Sequence, residues 1–317
     1  MTSRARTAGF LLILTALGAG WGVTQPLTKI AVSTGYEPWG LIFWQMVIGA
    51  GLMAVVSGMR GKPLPRTRGA LKICLIIALI GTLVPNTASY RAIAHLPSGV
   101  ISILLSLIPM MAFPVALALR LEKFRLLRLV GLTFGLVGVL LLVVPDASLP
   151  DPSMLLWIPI ALIAPACYAV EGNYVARWGT EGLDPIQVLY GASLVGAILV
   201  LPLTIASGQY ISPLKPWGAP EWALVASSVI HVVVYAGYVW LVRQAGPVFA
   251  VQVSYLVTGF GVFWAVTLLN ETYSPWIWTA LAIILMGVFM VQPRSRDHLA
   301  LDEGGADRAQ RSADHQV

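Results

Sequence analysis

Few residues in this chain have the means to do chemistry, and they stand apart from one another. Glu171 is the one acidic residue well inside an apolar run. At helical spacing it shares a face with Cys167, Tyr168, Tyr174 and Val175. An ionisable group is costly in hydrocarbon, so its default reading is a water-filled lumen or a partnered site. Glu171 therefore reads as a ligand for a cationic solute or as a protonatable coupling group. The alternative is a residue near a helix end, reaching interfacial water or pairing with Arg177. His231 is followed at four and seven residues by Tyr235 and Tyr238, which makes a polar-aromatic stripe. Imidazole changes charge near neutral pH, so His231 is a second candidate for proton coupling. An interhelical hydrogen bond explains it equally well.

Amides beside prolines form the next group. Trp21, Gln25 and Thr28 share a helical face, and Pro26 follows Gln25. Proline frees a backbone carbonyl that something in mid-membrane must satisfy. Pro85-Asn86 repeats the pattern. Broken helices beside amides are where transporters build sites; a packing kink with a self-satisfied amide is the competing account. Gln45, Gln252, Tyr90 and Tyr168 complete the expected cavity wall, and Pro109 and Pro114 are expected to bend their helix so that the cavity can open. Glu122 and Glu271 stand at run ends near cations or Asn270, where capping explains them best. No metal and no cofactor are expected. Cys74 and Cys167 have no partner spacing, and no second His or carboxylate shares the His231 helix at ligand distance.

Such groups need elements to hold them, and composition says which. Of 317 residues, 57% are hydrophobic and 11% charged. Soluble domains carry about 25% charged residues, so a soluble enzyme, a disordered chain and a secreted disulfide scaffold are excluded. Apolar runs cover about 8–31, 38–58, 70–93, 99–120, 126–145, 154–177, 185–207, 221–243, 247–269 and 275–292. Turn chemistry such as Gly61-Lys62-Pro63, Pro145-Asp146 and Pro150-Asp151-Pro152 separates them. The first run follows Met1 to Arg6 and is expected to be a retained span rather than a signal peptide. Residues 293–317 are polar and read as a disordered tail. The fold expected is all-α, integral to the membrane, with ten spans. All Lys and Arg except Lys29, Arg91 and Lys215 fall on one side when the N-terminus is placed inside. Both termini are therefore expected in the cytoplasm. The positive charge punctuates apolar segments instead of forming a stripe, so nucleic acid is not an expected partner. Seven Trp residues at span ends, Trp39 and Trp276 among them, fit an interfacial belt.

The chain also repeats. Glu122 precedes Gly138-Val139 by 16 residues, and Glu271 precedes Gly287-Val288 by the same interval, at an offset of 149. Tyr90 to Gly99 and Tyr238 to Pro247 align near that offset, as do Trp21-Gly22 and Tyr168-Ala169. Five spans per copy is an odd number, so the copies at 8–145 and 154–292 are expected to enter the membrane in opposite senses. Inverted repeats with a site between them are transporter architecture.

On these features the sequence resembles the EamA branch of the drug/metabolite transporter superfamily over about residues 8–292. The resemblance rests on Trp21-Gly22 with Lys29 at the far end of the helix, on the Pro109 helix leading to Glu122, and on Gly131, Gly135 and Gly138. The second copy keeps Glu271 and Gly287 but has Thr258 where the first has Pro109. The resemblance implies ten helices, both termini cytoplasmic, a central cavity, and export of a small metabolite across the inner (plasma) membrane. One acid, one histidine, amides and aromatics would suit an amino acid-like or an aromatic, amphipathic solute. Partners expected are that solute and the bilayer, with a homodimer compatible with both. A membrane enzyme would need an acid pair, HExxH or a Ser/His dyad, and none is evident. A receptor or scaffold without transport activity remains as the alternative, although no signalling domain is evident. The charge bias predicts Ser148 and Ser212 outside, with Arg66 and Thr180 inside. In a background lacking both native cysteines, Ser212→Cys should react with an impermeant thiol reagent in intact cells. Arg66→Cys and Thr180→Cys should react only after permeabilisation, and labelling of either in intact cells sinks the topology.

Overall fold

Proline opens several of the helices, at a position where its missing N–H would have had no partner anyway. The computed structural model describes residues 3–144, 148–250 and 252–291, and every regular element among them is helical. In order these are α1 (Ser3–Val32), α2 (Pro38–Met59), α3 (Arg68–Ala78), α4 (Val84–His95), α5 (Ser98–Leu105), α6 (Ile108–Ala118), α7 (Leu126–Val143), α8 (Ile158–Trp178), α9 (Pro185–Ala206), α10 (Ala219–Ala245), α11 (Pro247–Ala250), α12 (Val253–Leu269) and α13 (Pro275–Val291). A π-helical turn, Leu79–Leu83, joins α3 to α4, and a 3-10 turn, Pro152–Trp157, leads into α8. The Pro145-Asp146 break and the tail 293–317 lie outside the described residues.

Eight stretches among the described residues are long and apolar enough to cross a membrane; α12 and α13 are apolar but shorter, at 17 residues each. Large apolar side chains such as Val55, Leu136, Ile198 and Val233 are exposed on the outer faces, where a soluble protein would carry charge. The expected third and fourth spans are both interrupted. Pro85, at the start of α4, has no N–H to give Gly81, and the ladder widens into the π turn just before it. The fourth breaks at Ser106–Leu107, with Pro109 in the first turn of α6 and Pro114 inside it. Pro26 lies inside an uninterrupted α1. The expected ninth run is divided too. Gly246 at φ +85° turns the chain, α11 makes one turn, and α12 starts only at Val253.

The packing respects exchange of the two halves. Helices α7 and α13 pack on each other, as do α2 and α9. The pairing of α1 with α10 and α12 is answered in the other half by α8 with α4 and α6. The α7–α13 crossing shows the symmetry at residue level. A Cβ on Gly131 would stand 2.7 Å from the Gly287 carbonyl oxygen, and one on Gly138 would stand 3.3 Å from that of Ala280. Shifting by 149 turns the first contact into the second. Glycine is needed because the two backbones touch.

The loops close the two ends. At the end where α1 begins, Asp184 caps α9. Its carboxylate accepts from the Ile186 and Gln187 amides at 3.0 and 3.1 Å while Gln187 Oε1 accepts from the Asp184 amide at 3.1 Å. Arg60 donates to both carboxylate oxygens at 3.1 and 2.6 Å, and Lys62 stands 3.5 Å away. At the opposite end Lys29 donates to the carbonyls of Ile93, Ala94 and Leu96 at 2.7, 3.2 and 3.0 Å. Glu271 accepts there from the Ser98 amide and hydroxyl, both at 2.8 Å, from the Gly99 amide at 3.2 Å and from the Tyr273 hydroxyl. One side chain thus closes the end of α4 and another the start of α5. Ser148, expected to be accessible, is 2% exposed and hydrogen-bonds the Leu142 carbonyl, so Ser212 is the better reporter of that face.

The Arg60 guanidinium, ahead of the opposing desolvation and helped by the Gln187 and Ile186 amides, holds the Asp184 carboxyl down at about 2. A depressed carboxyl stabilises the fold above its ordinary value near 3.8 and loses that contribution as pH falls toward 2. Asparagine keeps the helix cap but not the charge. Asp184→Asn should therefore lower stability by about 1 kcal/mol at pH 7. In detergent melts, its difference from wild type should vanish between pH 4 and pH 2, and a difference unchanged over that range would contradict the assignment.

Candidate functional site

Between the two halves lies a cavity of about 570 Å³, within the range of small-molecule sites. Trp21, Gln25 and Thr28 reach it from α1, Gln45 from α2, Asn86 and Tyr90 from α4, Tyr168 and Glu171 from α8, and His231 and Tyr235 from α10. Both interruptions border it, Gly81 from the π turn and Ser106 to Pro109 from the α5–α6 break, although Leu107 is turned away. Of the wall residues expected from sequence, Gln252 is the one the structure places elsewhere. It is exposed at the N-cap of α12 and lines no part of the cavity, because the expected ninth helix is divided, α11 ending at Ala250 and α12 starting at Val253. Pro109 is on the wall; Pro26, Pro85 and Pro114 are not.

Three interhelical hydrogen bonds make the wall a single polar unit. Gln45 Oε1 accepts from Asn86 Nδ2 at 3.0 Å and from the Tyr90 hydroxyl at 2.9 Å, and the Tyr168 hydroxyl donates to Asn86 Oδ1 at 3.1 Å. The unit ties α2, α4 and α8 together. Across the cavity, Trp21 Nε1–H donates to His231 Nδ1 at 3.2 Å, and the Trp21 ring lies 5.5 Å from that of Tyr238. His231 therefore both lines the cavity and bonds between helices, with Nδ1 unprotonated. Neither Glu171 nor Gln25 hydrogen-bonds any group among the described residues. The Glu171 carboxylate lies against bare backbone, since a Cβ on Gly81 would stand 2.7 Å from its carbon and from both of its oxygens. Arg177 is exposed at the helix end and does not pair with it.

Glu122 and Glu271, the two glutamates at run ends, are structural. Glu122 forms an ion pair with Arg128, whose guanidinium also stacks over Phe113 at 5.6 Å, and Glu271 caps α5. Sequence reasoning named Thr28 on the Gln25 face but missed its partner Thr24 and two further hydroxyl pairs of the wall, Ser102 with Ser106 and Ser254 with Thr258. Their signal was present, because each pair is four residues apart on one helical face. The cavity extends to the beginnings of α9 and α12, at Val188 and Val253. Toward the other end it stops at Thr28 and Ser102, beneath the Ile93–Gly99 junction held by Lys29 and Glu271.

Apolar helices in two exchangeable halves around a polar, partly unpaired cavity define the architecture of a membrane solute carrier. The chain belongs to the EamA-like transporter family, which matches it twice, at residues 7–144 and 155–292. It is 23% identical over 291 residues to the "Uncharacterized inner membrane transporter YedA" of Escherichia coli (strain K12), covering 88% of this chain and 89% of that one. The protein of the same name from Escherichia coli O157:H7 matches to the same extent. A solved crystal structure shares the fold with TM-score 0.57 at 18% identity, over 90% of this chain and 97% of the other.

The bonding pattern separates two amides that look alike in sequence. Asn86→Leu strips partners from Gln45 and Tyr168 and should destabilise the protein by about 1–2 kcal/mol, some 2–4 °C in a detergent melt. Gln25→Leu removes no bond and should leave the melting temperature within about 1 °C. Equal losses for the two variants would contradict the network.

Proposed function

We propose that the protein is a secondary transporter that moves a small organic solute, amino acid-like or aromatic and amphipathic, by alternating access around this cavity. In this reading the ten apolar helical segments are ten spans, α12 and α13 included, arranged as inverted repeats at 8–145 and 154–292. Both termini are cytoplasmic, the membrane is the inner (plasma) membrane, and the direction is export. The observation that carries the reading is an unpaired carboxylate and an unpaired amide, Glu171 and Gln25, facing one cavity between two symmetry-related halves. The family match and the name of the YedA relative support membrane transport and weigh against an enzyme. The charge bias supports the orientation.

Glu171 is the coupling group in this account, with His231 as a second candidate on the wall. A carboxylate without a partner, set among apolar helices, is neutralised either by a proton or by a solute. Glu171→Gln mimics the protonated form and keeps the shape. Reconstituted into liposomes with a panel of labelled amines, amino acids and aromatic solutes, wild-type protein should accumulate its solute against a pH gradient. Glu171→Gln should still exchange solute at saturating concentration without gradient-driven accumulation. Wild-type accumulation by Glu171→Gln would remove the residue from coupling.

A further inference from the structure

The cavity carries a charge signature that narrows its ligand. Among the described residues that line it, Glu171 holds the one formal charge and no Lys or Arg is present. Lys29, the lysine inside the first span, has its ammonium tied to three carbonyls at the closed end. Many of the wall hydroxyls are already engaged. Thr28, Ser102, Ser106 and Thr258 each donate to a carbonyl in the preceding turn of their own helix, and the Tyr90 and Tyr168 hydroxyls belong to the amide unit. An anion thus meets no fixed positive charge on this wall, whereas an acceptor for a cation is waiting and bare. The aromatic faces of Trp21 and Tyr235 border the same space, and rings attract cations.

We propose that the site takes organic monocations, an ammonium on an aromatic or apolar body, with Glu171 as their counter-charge and Gly81 as the gap that accommodates its carboxylate. Solutes that bring a carboxylate are disfavoured because no fixed positive group meets it. This rests on the transport reading for its context but not for its test, which is of binding. One cation per site follows from one carboxylate. Because a proton and the cation neutralise the same group, each should exclude the other.

Three indole compounds share a ring and differ in charge: tryptamine, tryptophan and indole-3-acetate. With purified full-length protein in nanodiscs at pH 7.5, tryptamine should bind with a Kd at least tenfold lower than either of the others. Its affinity should fall as pH is lowered. Glu171→Gln should weaken tryptamine at least tenfold while leaving the uncharged analogue tryptophol within twofold. Gly81→Ala, which crowds the carboxylate and not the backbone, should weaken tryptamine by a smaller factor. Melting curves establish that each variant is folded. Failure of wild-type protein to bind tryptamine, equal or tighter binding of tryptophan or indole-3-acetate, or unchanged tryptamine binding by Glu171→Gln would each overturn the proposal. Should tryptamine bind as expected yet no solute cross proteoliposomes, the transport reading fails and this one stands. Transport of a zwitterion or anion through the cavity would do the reverse.

Discussion

In an apolar slab every backbone N–H and C=O needs a partner within the protein, and this chain breaks its helices regardless. The interruptions at Leu79–Leu83 and Ser106–Leu107 stand on the cavity, and the junction from Ile93 to Gly99 stands above it. Each is compensated locally. A π turn absorbs the missing Pro85 N–H. Lys29 and Glu271, from separate halves of the chain, supply charges to the orphaned groups on either side of Pro97. The arrangement follows helix electrostatics, with a cation at the carbonyl end of α4 and an anion at the amide end of α5. The consequence is a bundle closed firmly at one end and hollow beneath.

The symmetry of the two halves explains the frame but not the site. Backbone contacts through Gly131, Gly138 and Gly287 transform into one another under a shift of 149 residues. The chemistry does not repeat in this way: at that offset Glu171 faces Gly22, and Asn86 faces Tyr235. One half contributes the cavity amides and the other the carboxylate and histidine. Divergence at the wall with retention at the crossings is what a shared scaffold around a specialised cavity requires, because close backbone contact admits only small residues, glycine or alanine, while lumen positions are free to vary.

Much of this was legible beforehand. Composition and run length gave the helices, and helical spacing put Trp21 with Gln25 and His231 with Tyr235 on common faces. The placement of Glu171 was also within reach. Six residues separate it from Arg177, about 120° around a helix, so the two point to different neighbours. Gln252 was misplaced because the apolar run 247–269 reads as one continuous helix, whereas α11 ends at Ala250 and α12 starts only at Val253. The bonding of the amides was beyond sequence reasoning, since Asn86 and Gln45 are 41 residues apart and meet only through tertiary packing. The same holds for Trp21 and His231, 210 residues apart.

The central claim is that the cavity selects positive charge and, in the orientation proposed above, is reached from the cytoplasmic end, since Lys29 and Glu271 close the other. Gln25→Cys, in a background without Cys74 and Cys167, places one thiol on its wall. Reaction with two methanethiosulfonates, one bearing trimethylammonium and one sulfonate, can be timed in intact cells and in inside-out vesicles, each rate normalised to that with a free thiol. The account predicts fast reaction with the cationic reagent from inside-out vesicles, at least tenfold slower reaction with the anionic one, and slow reaction with both in intact cells. Faster modification from the outside, or by the sulfonate, would contradict it.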